Sequence, residues 1–85
     1  MLIKSKDKRT ILNAGDIAGV EITRGKVYLE GDDNAVVGFV VSAILARYDG
    51  RIPLGGYATE DQALTALRSI EQWIDQGSTG TFELE

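Results

Sequence analysis

Residues 49–77 read DGRIPLGGYATEDQALTALRSIEQWIDQG, and two features of this stretch decide the fold. Asp49-Gly50 is a strong turn signal between β-compatible runs. Thr59-Glu60-Asp61-Gln62 has the form of a capping box. Its Thr hydroxyl can accept from the Gln62 backbone N–H while the Gln62 side chain answers the Thr59 N–H. Glu60 and Asp61 then sit in the first turn, where the helix dipole favours negative charge. Ala63, Leu67, Ile70 and Ile74 recur at helical spacing as one apolar face, flanked by Leu64 on one side and by Ala66 and Trp73 on the other. Gly77 supplies a stop. The spacing predicts a helix over about 60–76, with Trp73 covering the margin of the core.

Working outward, residues 52–57 return from the turn as a strand that contains Pro53. A four-residue loop, Tyr48 to Arg51, turns the proline nitrogen away from the preceding strand and places this strand at a sheet edge. Upstream, Val36 to Tyr48 is a long run in which Ser42 is the only polar residue before Arg47. Its β-branched content favours strand over a buried helix. Thirteen extended residues would span roughly 43 Å, more than the roughly 30 Å width of a globule this size, so Gly38 is expected to mark a bend or bulge. At the start, Leu2-Ile3-Lys4-Ser5 and Thr10-Ile11-Leu12-Asn13 flank a polar tip and suggest a hairpin. Residues 17–23 alternate as a further strand, Arg24-Gly25-Lys26 reads as a turn, and Val27-Tyr28-Leu29 as its return. The tail Thr81-Phe82-Glu83-Leu84-Glu85 alternates like a half-buried strand after a connector at 77–80. The expectation is one α+β domain over 1–85. An antiparallel β-sheet of five to six strands, in sequential order and arranged much as in a pleckstrin-homology-like roll, packs on one C-terminal α-helix.

The segment from Leu54-Gly55-Gly56-Tyr57-Ala58-Thr59-Glu60-Asp61-Gln62-Ala63 through Leu67 and Ile70 resembles the ending of small uncharacterised bacterial and prophage proteins with the pattern L-G-x-Y-x-T-E-x-x-A. Here Gly55-Gly56 adds one residue before Tyr57, and the opening strands at 2–5 and 10–13 are similar as well. The resemblance implies a sheet closed by a C-terminal helix and carries no activity, ligand or catalytic residue.

Composition narrows the chemistry. The chain of 85 residues has no Cys and no His, which removes thiol nucleophiles, imidazole bases and the usual zinc, haem and iron–sulfur ligand sets. Paired carboxylates occur at Asp32/Asp33 and Glu60/Asp61, but neighbours within one loop or one cap do not converge on a substrate. Glu30 to Asn34 lacks the ligand spacing of a calcium loop, leaving at most a weak, adventitious Ca²⁺ or Mg²⁺ contact. Gly55-Gly56 does not open directly onto a helix as a phosphate cradle would, and two acids hold that helix start. No catalytic residue, cofactor or metal ligand is therefore assigned. The longest uncharged run is too short to span a bilayer and the N-terminus lacks the order of a secretory signal, so no membrane partner and a cytoplasmic location are expected.

Net charge is −4 and unevenly spread. Residues 1–26 hold six cations (Lys4, Lys6, Lys8, Arg9, Arg24, Lys26) and three anions, net +3, while 27–85 hold three cations and ten anions, net −7. Such a two-sided surface orients a partner or favours head-to-tail contact. The expected function is a non-catalytic protein-interaction or self-association module, with Lys6, Lys8, Arg9, Trp73, Phe82 and Leu84 as partner contacts. Weak homodimerisation is expected through edge pairing or exchange of the tail. The alternative is a nucleic-acid-associated regulatory protein that uses the basic N-terminal hairpin, with Arg24 and Lys26 beside it and a tyrosine stacking on bases. The acidic balance argues against that alternative.

Overall fold

In the computed structural model of the chain, residues 1–28, 34–47, 49–77 and 79–85 are described. The order is β1 (Leu2–Lys4), β2 (Ile11–Asn13), a single 3-10 turn (Ala14–Asp16), β3 (Ile17–Tyr28), β4 (Ala35–Leu45), β5 (Arg51–Tyr57), α1 (Glu60–Asp75) and β6 (Thr81–Glu83). The class is α+β, with six strands and one helix among the described residues.

The strands form two three-stranded sheets instead of one sequential sheet. One is the antiparallel meander β3-β4-β5, and the other has the order β2-β1-β6, with β1 antiparallel to β2 and parallel to β6. The division falls at Asn13. Its side chain accepts from the Gly15 backbone N–H at 2.9 Å and caps the 3-10 turn. The turn leads the chain away from β2, so β3 does not fold back on it.

The turn expected at 24–26 is absent, because β3 runs unbroken to Tyr28. Gly25 lies opposite Gly38 within an in-register ladder from Gly19/Ile44 to Tyr28/Ala35. Gly38 is therefore not a bulge. It is a point of close approach, where an added Cβ would lie 2.5 Å from the Tyr57 carbonyl oxygen and 2.6 Å from Val27 Cγ2. The irregularities lie in β3, where Ala18 is the extra residue between the pairs Ile17/Leu45 and Gly19/Ile44, and in β5, where Leu54 is the extra residue between the pairs Val41/Gly55 and Ser42/Pro53. The register is also shifted from expectation, since β4 ends at Leu45 and β5 begins at Arg51 opposite Ile44. The Leu45 N–H reaches the Gly50 carbonyl, so alternation along the ladder leaves Pro53 at a non-hydrogen-bonded position on an edge strand.

Helix α1 has both halves of its capping box. It ends where Gly77 adopts φ +63°, a conformation that glycine takes without strain. It lays Ala63, Ala66 and Ile70 on Val41, Ala43, Leu54 and Tyr57, and the core is completed by Ile3 of β1 and by Leu84. Burying Ile3 and Ile70 contributes about 1.5–3 kcal/mol each. The bulge joins the two sheets, because the Leu54 carbonyl that it frees accepts from the Lys6 N–H at 2.7 Å. No helix among the described residues is long and apolar enough to cross a membrane.

Candidate interaction surface

The basic hairpin tip is built around a buried hydroxyl. Ser5 Oγ donates to Asp7 Oδ1 at 2.6 Å and accepts from the Thr10 N–H at 3.1 Å, while Asp7 also accepts from the Arg9 N–H at 2.9 Å. These bonds, the Ser5 hydroxyl first and the Arg9 N–H next, hold the Asp7 carboxyl below its ordinary pKa. The tip cations are largely engaged. Lys4 and Lys8 both meet Glu83 of β6, at 3.8 and 3.4 Å. Lys6 Nζ donates to the Gly56 carbonyl at 2.8 Å and lies 4.3 Å from the centre of the Tyr57 ring. Arg9 is exposed.

Beside Lys6, an open groove of about 700 Å³ runs between β6 and the first half of α1, with Tyr57 and Phe82 in its lining. Several of its polar atoms are already used by the chain itself. Tyr57 Oη donates to the Glu85 carbonyl at 2.8 Å, and its phenol is pushed above its ordinary pKa by burial and then by the Glu85 charge. Thr65 and Ser69 donate to the Asp61 and Thr65 carbonyls one turn back. Of the three apolar residues expected at a partner surface, Leu84 is only 2 % exposed and belongs to the core. Trp73 and Phe82 pack on each other at 5.5 Å between ring centres and cover the edge of that core. The six expected contacts therefore do not form one open patch.

A different face does. Val20, Ile22, Arg24, Lys26 and Tyr28 alternate onto one side of β3, opposite Ala43, Val41, Phe39, Val37 and Ala35 of β4. Val20, Ile22, Val41 and Ala43 carry the core. Strand β5 ends opposite Phe39, and α1 starts three residues later. The rows Lys26/Val37 and Tyr28/Ala35 thus continue the core side of the sheet beyond anything that covers it among the described residues. Tyr28 and Val37 are 71 % and 68 % exposed, and the Arg24 guanidinium lies 5.9 Å from the Phe39 ring centre. Arg24 and Lys26 make no ion pair among the described residues. They belong to a different sheet from the N-terminal hairpin. The alternation from Val20 onward carried this signal, but reading 24–26 as a turn hid it.

At the opposite end of the molecule, a second groove of about 370 Å³ lies between residues 17–20 of β3 and the last turns of α1, lined by Leu67, Ile70, Glu71, Ile74 and Asp75. No group of three or more acidic residues is placed to hold a metal ion among the described residues. The acidic stretch 30–34 falls mostly on residues 29–33, which lie outside the described residues. No protein-family model, curated protein or solved structure matches the chain.

Proposed function

We propose that the chain is a non-catalytic protein-interaction module and that the uncovered end of the β3–β4 face is its binding surface. One observation carries this reading: the face that forms the core at one end presents Tyr28 and Val37 to solvent at the other, beside two cations that make no ion pair among the described residues. Exposed apolar residues that continue a core, with Tyr and Arg among them, have the make-up of a contact surface. The second reading, nucleic-acid binding by Lys6, Lys8 and Arg9, is opposed by the engagement of Lys6 and Lys8 and by Asp7 at the centre of the tip.

A photo-cross-linking side chain placed at Val37, with Glu60 at the exposed start of α1 as control, tests the proposal in cells. A discrete protein adduct at Val37 that is lost when Tyr28→Ala is added, and is absent at Glu60, is expected. Equal labelling at both positions, or adducts to nucleic acid alone, would overturn it. A gel shift at about 100 mM salt that is abolished by Lys6→Glu with Lys8→Glu would favour the second reading.

A further inference from the structure

We infer that the partner of the uncovered β3–β4 face is a second copy of this chain, docked head to tail, with that face seated on the groove between the start of β3 and the end of α1. The inference rests on reading the face as a binding surface and deepens it by naming the occupant. Three observations carry it.

The two patches are complementary in chemistry. One offers Tyr28 and Val37 with Arg24 and Lys26; the other offers Leu67 and Ile74 over a floor of Ile70, with Glu71 and Asp75 at the rim. They are also complementary in spacing. Residues two apart on a strand lie roughly 7 Å from each other, and residues four apart on a helix roughly 6 Å along the axis. The Arg24–Lys26 pair therefore matches the Glu71–Asp75 pair.

The acidic pair has no ion-pair partner among the described residues, although Arg68 stands one turn before Glu71. Glu71 and Asp75 are like charges at i,i+4, a destabilising arrangement. They lie toward the C-terminal end of α1, where the dipole disfavours negative charge and where the last turn holds no basic residue. Two cations from outside would relieve both penalties.

The patches cannot meet within one chain. The groove touches residues 17–20 at the beginning of β3, whereas Arg24, Lys26 and Tyr28 lie further along it, roughly 13 to 26 Å beyond Val20. Docked head to tail, one copy leaves a free patch at each end of the pair, and such a heterologous contact builds open chains or a ring.

Sedimentation equilibrium of the full chain, from about 10 µM to about 1 mM at low salt, tests this. The average mass should climb above the 9.2 kDa monomer with concentration and fall back as salt is raised. Arg24→Glu with Lys26→Glu should be monomeric throughout, and so should Glu71→Lys with Asp75→Lys. An equimolar mixture of the two should associate again, since each then offers the charge that the other lacks. Circular dichroism checks that both variants keep the fold, as all four side chains are exposed. A wild-type protein that stays monomeric, variants that associate like wild type, or a mixture that stays monomeric would each overturn the inference. A Val37 adduct to a different protein, with the chain itself monomeric, would overturn self-docking and leave the interaction-module reading standing.

Discussion

Ser5 shows how much one small side chain can organise. Its buried hydroxyl donates to Asp7 and accepts from the Thr10 N–H, which fixes the tip between β1 and β2. Asp7 is the more ionised for it, and the sign of the pH effect follows. The folded-state pKa lies below the ordinary value of 3.8, so the stabilisation is complete above pH 3.8 and is lost as the pH falls through the folded value. Carboxyl NMR titration should place the Asp7 midpoint below 3.8, and Ser5→Ala should move it upward. A midpoint at or above 3.8 in the wild type would contradict the geometry. Ser5→Ala should also cost about 1–2 kcal/mol in urea unfolding, because it strands the Thr10 N–H.

Elements differ in how much of themselves they reveal locally. Helix α1 was legible because its cap, its apolar spacing and its stop all lie within some twenty consecutive residues, and local signals suffice for a helix. Strand β3 was not, because Gly25 between two cations has the composition of a turn while its role is set by Gly38, thirteen positions away in the chain. The close packing of β3, β4 and β5 at that point gives a sharp test. Gly38→Ala drives a methyl group into the Tyr57 carbonyl and the Val27 side chain, and should cost about 1–3 kcal/mol. Gly50→Ala, with nothing within 4 Å of the new methyl, should stay within about 0.5 kcal/mol of wild type. Equal unfolding midpoints for the two variants would mean that the strands do not approach so closely.

At the scale of the whole molecule, the class of fold was readable and the partition into two sheets was not. The cause is specific: the capped 3-10 turn after Asn13 redirects the chain, and the bulge at Leu54 supplies the carbonyl that joins the sheets. The candidate surface was hidden for a related reason, since exposure at Tyr28 and Val37 depends on where β5 and α1 stop and not on the local sequence. Leu84 sits just after β6, where both sheets and α1 meet, so Leu84→Ala should cost about 2–4 kcal/mol, measured by urea unfolding. A cost under about 0.5 kcal/mol would place Leu84 at the surface. The parallel pairing of β6 with β1 has a further consequence in time. Ile3 lies beside Phe82, so β1 waits, its edge open, until the chain through β6 has been made. The meander β3-β4-β5 and α1 can assemble while translation continues, but the smaller sheet closes last. Nascent chains therefore carry an unfilled strand slot until β6 has been made, and slow translation of the codons for β6 lengthens their exposure to chaperones and proteases.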